Sequence, residues 1–469
     1  MNQDASYFFC GIGGSGMLPL AMIVQAQGGR IEGSDRALDQ GRTPEKFDWL
    51  RAHGVTLHPQ DGSGVTRGDQ IVVATGAVED TVPDIGAARR VGATVVTRPE
   101  LLSRLFNAAP TSLGVAGTSG KSTITGMIAW ILHSAGKAPT VMNGAVMKNF
   151  ADADHPFASA LIGGPDLFVA EVDESDGSIA RYDPTVAVVS NISLDHKSME
   201  ELRDLFGGFT GRSQAAVLNL DNPETAALAQ SLVAEGRGDG LITFALGNDD
   251  ADLAAHGLTP TPTGMTFDLA ERSTGARREV VLNVPGAHNV ANALAALGAV
   301  RAMGVGLDDA VAALETFAGI RRRMEVVGTR NGITVIDDFA HNPDKIAATL
   351  KTLHAFDGRL LILFQPHGFG PLKLMKHEFI DGFAGLMRAD DVLLMPEPVY
   401  YGGTTDRSVG SEDVAAGVRA AGRRAEALGD RAACGDRIVE LARPGDRIIV
   451  MGARDDTLST FAAELLARL

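Results

Sequence analysis

The segment Gly117-Thr-Ser-Gly-Lys-Ser-Thr123 carries the residue types of a phosphate-binding loop. It follows an apolar run, Ser112 to Ala116, and precedes a helix-like segment, Ile124 to Leu132. Glycines let backbone N–H groups close on phosphate oxygens, and the start of a helix adds partial positive charge. Lys121 is then placed to reach the outer phosphates, and the Ser122 hydroxyl to hold Mg²⁺.

The loop departs from the standard phosphate-loop pattern, because Val115 stands where a glycine normally begins it. Gly114 and Gly117 are the available substitutes. The alternative interpretation is a glycine turn whose lysine is merely solvated. The flanking strand and helix patterns favour ATP binding, which we assign to Gly117, Thr118, Ser119, Gly120, Lys121, Ser122 and Thr123.

A second glycine-rich turn, Gly11-x-Gly13-x-x-Gly16, follows the strand-like run Tyr7 to Cys10 and opens a helix. Asp35 lies 19 residues past Gly16, the distance expected of the acidic residue that binds a ribose. Taken alone, this fingerprint predicts NAD. The glycine turn, however, binds a diphosphate at the start of a helix, and a UDP-sugar carries a diphosphate just as NAD does. The other interpretation is that the glycines are structural.

Acidic residues cluster after another predicted strand, in the segment Glu171-Val-Asp-Glu-Ser-Asp176. A single acidic run is usually a solvated loop. At a strand end in a domain with a phosphate loop, it favours Mg²⁺, which prefers oxygen ligands. We predict Glu171 as the metal ligand and assign supporting or structural roles to Asp173, Glu174 and Asp176.

Three further polar motifs each allow a functional and a structural interpretation. His196 follows Asp195 at the end of a predicted strand, where it is a candidate for binding metal or phosphate. Asn289 and Asn292 lie one helical turn apart and either recognise a nucleotide base or form a cap and a solvated face. The basic triplet Arg321 to Arg323 is either exposed surface or the source of an arginine finger.

Two histidine-containing motifs end predicted strands near the C-terminus. They are Asp337-Asp-Phe-Ala-His341-Asn-Pro343 and Phe364-Gln-Pro-His367. Open parallel sheets bind ligands at the carboxyl ends of their strands. Both motifs are therefore predicted to face a ligand.

Composition sets limits on these interpretations. The 469 residues suggest about three domains, and 45% apolar residues are enough to fill their cores. A formal net charge of −16 argues against nonspecific nucleic-acid binding. The two cysteines, Cys10 and Cys434, rule out a cysteine-rich metal site, and Cys10 is expected to be buried. No run approaches 18 apolar residues, so we expect a cytoplasmic, soluble protein without a membrane partner.

Alternating strand-like and helix-like runs predict three α/β domains at residues 1–108, 109–318 and 319–469. The first and third are predicted to be Rossmann-like. The second is predicted to be a phosphate-loop ATPase-like domain whose runs between Leu241 and Val284 form an antiparallel extension. Four short aliphatic runs predict the strands of the third domain: Thr334 to Asp337, Leu360 to Phe364, Val392 to Met395 and Arg447 to Met451.

Six of these motifs, in this order and over nearly the whole chain, resemble the Mur ligase family. The resemblance is strongest to the branches that join L-alanine or a murein tripeptide to UDP-N-acetylmuramate. It implies an ATP- and Mg²⁺-dependent amide ligase of peptidoglycan precursor synthesis or recycling. The acceptor carboxylate would attack the γ-phosphate of ATP to give an acyl phosphate, which an amine brought by the third domain then displaces.

The resemblance also implies a role for each motif. UDP-substrate binding falls to Gly11, Gly13, Gly14, Ser15, Gly16, Met17, Ser34 and Asp35. Catalysis falls to Lys121, Glu171, His196, Arg323 and Asp338. One Mg²⁺ is implied at Ser122 and Glu171 and a second at His196. Asn289, Asn292 and Arg322 are implied to contact ATP, and His341 and His367 are the candidates for contacting the amine substrate.

The chain departs from the family pattern where the amine would bind. Alanine ligases carry arginines at the positions of Gly368 and Pro371, and a histidine at the position of Ser119. The arginines are where the carboxylate of the incoming amino acid would be held, and neither glycine nor proline replaces a bidentate guanidinium. Lys373 or Lys376 are possible substitutes from a different angle.

Three alternatives therefore stay open. The first is a ligase of the same fold that uses another amine or acceptor. The second is a catalytically altered protein that only binds UDP-sugars. The third is a nicotinamide-dependent oxidoreductase built on the first fingerprint, which leaves Lys121 and the acidic segment unexplained. The oligomeric state is not predicted.

Overall fold

A computed structural model describes residues 5–76, 81–194, 197–261, 263–399, 406–453, 455 and 457–469. The described chain contains three β-sheets flanked by helices and is a three-domain α/β protein. It divides into two compact units: a first unit that reaches Ile320 and holds the first two sheets, and a second unit from Arg321 that holds the third. No helix in the described ranges is both long and apolar enough to cross a membrane.

The first sheet has five strands in the order β3-β2-β1-β4-β5, and all its pairs are parallel. Its central strand is buried along its whole length, as expected of a parallel strand covered on both faces. The elements are β1 (Ser6–Cys10), α1 (Met17–Ala26), β2 (Arg30–Ser34), α2 (Arg36–Asp39), α3 (Pro44–Ala52), β3 (Thr56–His58), β4 (Gln70–Ala74), α4 (Pro83–Val91), β5 (Thr94–Thr97) and α5 (Arg98–Ala108).

The second sheet has ten strands in the order β15-β14-β13-β12-β11-β10-β6-β9-β7-β8. Its strands are β6 (Thr111–Ala116), β7 (Thr140–Met142), β8 (Ala160–Leu161), β9 (Leu167–Glu171), β10 (Val186–Val189), β11 (Ala215–Asn219), β12 (Leu241–Leu246), β13 (Leu253–Thr261), β14 (Gly264–Glu271) and β15 (Ala276–Leu282). Its helices are α6 (Lys121–Ser134), α7 (Met199–Gly211), α8 (Pro223–Ala234), α9 (Ala287–Ala302) and α10 (Leu307–Leu314).

The predicted antiparallel extension of this sheet is only partly correct. Strands β14 and β15 pair antiparallel, as expected. Strands β12 and β13, however, continue the parallel pairing from β11. Short alternating runs indicate a half-exposed strand but not its direction, and the direction is set by the connections.

The first two sheets share one hydrophobic core. Phe106, on the last helix of the first domain, packs edge-on against Phe168 of β9 and against Tyr182, with ring centroids 6.0 and 5.2 Å apart. All three side chains are buried, and they belong to one apolar cluster that spans both domains. This shared core joins the first two sheets within the first unit.

The third sheet has six strands in the order β16-β17-β21-β18-β19-β20. The elements are β16 (Glu325–Arg330), β17 (Ile333–Asp338), α11 (Pro343–Leu353), β18 (Leu360–Gln365), α12 (Phe369–Leu374), α13 (Lys376–Leu386), β19 (Val392–Pro396), α14 (Ser411–Ala420), β20 (Arg424–Leu428), α15 (Arg431–Leu441), β21 (Arg447–Gly452) and α16 (Thr457–Arg468). The four predicted strands are present, and β16 and β20 are two edge strands that the pattern missed. The pairing is parallel apart from β16 on β17.

The fold class is therefore confirmed, whereas the domain bounds 1–108, 109–318 and 319–469 stay a prediction. Cys10 and Cys434 are both free and buried. Burial, reinforced by the nearby charge of Asp84, raises the pKa of the Cys10 thiol. This thiol therefore stays protonated and belongs to the core of the first sheet.

Candidate active site

The phosphate loop of the first unit lies between β6, which ends at Ala116, and α6, which begins at Lys121. The end of β10 holds it in place, because Thr118 N–H donates to the Asn191 carbonyl and Ser119 N–H donates to the Asn191 side-chain oxygen, each at 3.0 Å. Val115, the residue in place of the usual glycine, is buried within β6 and takes no part in the loop.

Lys121 is paired with a carboxylate that the sequence analysis left among the supporting residues. Its Nζ donates to Glu174 Oε2 and to the Gly117 carbonyl, both at 2.8 Å. Burial lowers the pKa of Lys121, but the carboxylates of Glu174, Glu171 and Asp173 outweigh burial and raise it overall. Lys121 is therefore protonated at neutral pH. Its partner Glu174 is an anion, and a phosphate group could take the same position.

Ser122 and Glu171 meet as the motif predicts. The Ser122 hydroxyl donates to Glu171 Oε2 at 2.8 Å, and Gly144 N–H donates to the same oxygen at 3.0 Å. Strands β6 and β9 are parallel neighbours, so their carboxyl ends bring the two residues together. Asn143 Nδ2 donates to the Ser122 carbonyl at 3.0 Å and fixes the first turn of α6.

This oxygen pair fits Mg²⁺, which uses few protein ligands and keeps waters and phosphate oxygens. Within the described ranges, no group of three or more His, Cys, Asp or Glu residues could hold a metal ion. A site of one carboxylate and one hydroxyl is thus the kind that also requires a phosphate. His196 and its neighbour Asp195 lie outside the described residues, so the predicted second metal ligand stays a prediction.

Asn289 and Asn292 are buried beside the phosphate loop rather than on a solvated face. Asn292 Nδ2 donates to Asn289 Oδ1 at 3.0 Å. Gly120 takes a left-handed conformation with φ of +90°, and a Cβ there would lie 2.4 Å from Asn292 Oδ1. The asparagine pair therefore packs directly against the loop that precedes Lys121, which excludes the solvated alternative.

The first glycine turn is held by residues that follow β2. Gly11 and Ile12 N–H donate to the Ser34 carbonyl at 2.8 and 3.0 Å. Asp35 Oδ2 accepts from Gly13 N–H at 2.8 Å, and its other oxygen caps α2. The Ser34 hydroxyl is fully buried and donates to Asp84 Oδ2 at 2.6 Å. Ser34 and Asp35 thus shape the turn, and the Ser34 side chain is not exposed to a ligand.

A cavity of about 370 Å³ in the first unit joins the glycine turn to the carboxyl end of β9. Its lining includes Gly14, Ser15 and Gly16 of the turn together with Gly144 and Glu171. A ligand that binds the turn through a diphosphate can therefore extend toward the oxygen pair. This cavity brings together two motifs that lie more than 100 residues apart in the sequence.

Arg322 and Asp338, both predicted to act in the site, make hydrogen bonds within the second unit. Arg322 is buried, and its Nη1 and Nη2 donate to the carbonyls of Asp455 and Gly452 at 3.0 and 2.7 Å. Asp338 is also buried and accepts from Met324 N–H at 3.1 Å and from the Thr349 hydroxyl. Both residues therefore stabilise this unit, and their predicted contacts with ATP and the reacting groups stay predictions.

Arg323 is only half-buried and stacks over the Phe339 ring, with its guanidinium carbon 4.8 Å from the ring centroid. His341 and His367 lie together, with ring centroids 5.3 Å apart. Burial, aided by Lys345, His367 and Arg323, lowers the pKa of His341 to about 4. His341 is therefore a neutral imidazole at pH 7, as a group that accepts a proton from an amine must be.

The lysines proposed to replace the missing arginines already have partners. Lys373 pairs with Asp406, and Lys376 Nζ pairs with Asp413 Oδ1 at 3.0 Å. The backbone at Gly368 has φ of +151°, a value that favours glycine over arginine. Glycine at this position thus suits the local backbone of this chain.

Three Mur ligase family models match the chain in order. They are the Mur ligase family catalytic domain at residues 6–109, the Mur ligase middle domain at 115–300 and the Mur ligase glutamate ligase domain at 322–454. With the phosphate loop and the three-domain fold, they define an ATP-dependent ligase that forms C–N bonds. The chain belongs to the Mur ligase family.

Individual relatives agree with this assignment. The UDP-N-acetylmuramate–L-alanine ligase of Jannaschia sp. is 35% identical and aligns over 100% of this chain and 96% of its own length. The structure of the UDP-N-acetylmuramate–alanine ligase MurC of Thermotoga maritima covers 98% of both chains, with a TM-score of 0.78 and 23% identity. A murein peptide ligase of Psychrobacter arcticus covers 99% of this chain and 98% of its own, with a TM-score of 0.70 and 24% identity. At these identities the two structures show the shared fold.

Proposed function

We propose that this ligase joins an amino acid, L-alanine in the first instance, to the carboxylate of UDP-N-acetylmuramate. The observation that carries the proposal is Glu171, which accepts from the Ser122 hydroxyl at the phosphate loop and also lines a cavity that the glycine turn lines. The sequence relative that covers the full chain has this activity by name. An acceptor held by its diphosphate at the turn would extend its carboxylate through this cavity toward Glu171.

In the first step, an oxygen of the acceptor carboxylate attacks the γ-phosphorus of ATP. The bond from that phosphorus to the bridging oxygen breaks, ADP leaves with the electron pair, and an acyl phosphate forms. Two anions must meet at phosphorus, so Lys121 lowers the barrier by leaving Glu174 for the phosphate oxygens. Ser122 and Glu171 would hold Mg²⁺, which supplies further positive charge at the phosphates when bound.

In the second step, the amine nitrogen attacks the acyl carbon and gives a tetrahedral intermediate. The carbon–oxygen bond to phosphate then breaks, phosphate leaves, and the nitrogen loses a proton to complete the amide. His341 is the candidate acceptor of that proton, because its imidazole is neutral at pH 7 and lies beside His367; its lowered pKa makes it a weak base that suits only the acidic ammonium of the intermediate. We assign His367 to the same amine site on the strength of its contact with His341.

The test is a ligation assay with ATP, Mg²⁺ and UDP-N-acetylmuramate, read both by phosphate release and by the mass of the product. L-Alanine and a murein tripeptide are compared as amines. UDP-N-acetylglucosamine, which lacks the acceptor carboxylate, is the matched control. We expect phosphate release and the amide product with L-alanine and neither with the control acceptor.

Product with the tripeptide alone would replace the biosynthetic assignment with a recycling one. Phosphate release at background with every amine would overturn the ligase proposal and favour a protein that binds UDP-sugars without catalysis. Gly368 and Pro371 stand where alanine ligases carry arginines. The comparison of L-alanine with the tripeptide therefore decides which amine this ligase uses.

A further inference from the structure

Arg98 belongs to none of the sequence motifs, yet the fold places it at the glycine turn. It is the first residue of α5, directly after Thr97 ends β5. Thr97 and Glu100 form a capping box in which each side chain accepts from the other residue's N–H. Strands β1 and β5 both run parallel to β4 and flank it, so Arg98 and the turn after β1 lie at the same edge of the sheet.

The Arg98 side chain lies across the last glycine of the turn. A Cβ on Gly16 would lie 3.1 Å from Arg98 Cδ and 3.4 Å from both Nε and Nη1. A side chain at this position would crowd Arg98, so glycine favours the close approach of the guanidinium to the turn. The Arg98 side chain, 24% exposed, lines the cavity of about 370 Å³ between the turn and Glu171.

The ion pair that Arg98 makes in this unit is long. Its Nη2 lies 3.9 Å from Asp176 Oδ2, which is beyond hydrogen-bond distance, and the Asp176 side chain is 31% exposed. Partly exposed pairs of this geometry contribute little to stability. A guanidinium so weakly held in a cavity wall is well placed to exchange its partner for a stronger anion.

We propose that Arg98 binds the diphosphate of the UDP-linked acceptor from the side of the cavity that faces Glu171, and exchanges Asp176 for it. The inference rests on the proposed function and adds a binding residue to the same site. The N–H groups of the glycine turn supply dipoles but no net charge. A guanidinium supplies a full charge and a fork of donors that matches two phosphate oxygens.

The test measures UDP affinity by calorimetry for the wild-type protein and for Arg98→Gln, Arg98→Lys and Arg104→Gln. Arg104 is the matched control, because it lies on the same helix but lines a different cavity. Losing a charge-assisted contact of this type weakens binding by about 10- to 100-fold. We expect that loss for Arg98→Gln, a smaller loss for Arg98→Lys, and wild-type affinity for Arg104→Gln.

In the ligation assay, Arg98→Gln should raise KM for UDP-N-acetylmuramate and leave KM for ATP within twofold of wild type. A loss of UDP affinity below tenfold in Arg98→Gln, or an equal loss in Arg104→Gln, would overturn the inference alone. A wild-type protein that binds no UDP would overturn the proposed acceptor and the inference together.

Asp176→Asn tests the exchange of partners and guards against a merely structural role for Arg98. Since it removes the competing anion, UDP affinity should equal or exceed that of the wild type. A tenfold weakening in this variant would show that the pair itself shapes the cavity and would overturn the exchange. Without ligand, Arg98→Gln and Asp176→Asn should both unfold at the thermal midpoint of the wild type.

Discussion

The phosphate loop of the first unit and the arginine-rich start of the second unit hold their charges in opposite ways. Lys121 is paired with the carboxylate of Glu174, an anion that a phosphate group can displace. Arg322 donates to two backbone carbonyls, which cannot be displaced without opening the fold. The comparison teaches that a basic residue in a motif is ready for a ligand only if its present partners are exchangeable.

The sharpest way to break this comparison is Lys121→Ala. If Lys121 neutralises charge at the transferring phosphate, ligation should fall by about 1000-fold. Phosphate release and product mass measure the loss. UDP affinity should be unchanged, because the glycine turn is separate from this lysine.

Lys137→Ala, at an exposed lysine beyond the same helix, is the matched control and should keep wild-type activity. Ligation by Lys121→Ala within tenfold of the wild type would refute the role assigned to this residue.

Glu174→Gln tests whether the partner of Lys121 is exchangeable. Without nucleotide the variant leaves a largely buried ammonium beside a neutral amide, which should cost about 3 kcal/mol of stability. With ATP present, the phosphates supply the missing charge and the deficit should shrink. Thermal unfolding with and without ATP measures both states, and Glu235→Gln, at an exposed carboxylate, is the control. A deficit of equal size in the presence of ATP would mean that Glu174 stays on Lys121 throughout.

The triplet Arg321 to Arg323 tests whether the basic residues of the second unit have structural or functional roles. Arg322→Gln should lower stability by about 2 to 3 kcal/mol, because two buried carbonyls lose charged donors. Arg323→Gln should lower stability less than Arg322→Gln, because this guanidinium is only half-buried, and it should lower ligation if Arg323 has the catalytic role predicted for it. Chemical denaturation and the ligation assay separate the two effects.

Arg321→Gln, at an exposed position, is the control for both measurements. The opposite pattern, with a stable Arg322→Gln that has lost ligation, would place Arg322 in the catalytic machinery.

In the third sheet, the sequence predicted the four inner strands because buried parallel strands are continuous aliphatic runs. The strands β16 (Glu325–Arg330) and β20 (Arg424–Leu428) escaped prediction because both lie at sheet edges and mix charged with apolar residues. Their identity as strands depends on the neighbour they pair with, which no local pattern records.

The site followed the same division. The placement of Lys121, Ser122 and Glu171 at one edge of the sheet could be predicted, because strand–turn–helix order determines where the ends of parallel strands project. Which carboxylate of the acidic segment meets Lys121 depends on the path of the loop, so Glu174 was not singled out. Arg98 carries no motif signal, because its position follows from strand order in the first sheet. Local sequence patterns thus located the phosphate loop and the glycine turn. Only the fold showed that Glu174 and Arg98 lie beside them.

His341 gives the last and smallest test, and it contrasts with Lys121 because its charge is removed rather than reinforced. Burial lowers its pKa to about 4 from 6.5, so between these values the unfolded chain binds a proton that the folded protein does not. The stability that this neutral imidazole contributes is therefore complete above pH 6.5 and declines as pH falls. Between pH 7.5 and 5 the wild type should lose about 2 kcal/mol that His341→Gln does not lose. Thermal midpoints at the two pH values test this, with His377→Gln at an exposed histidine as the control; equal losses in wild type and His341→Gln would contradict it.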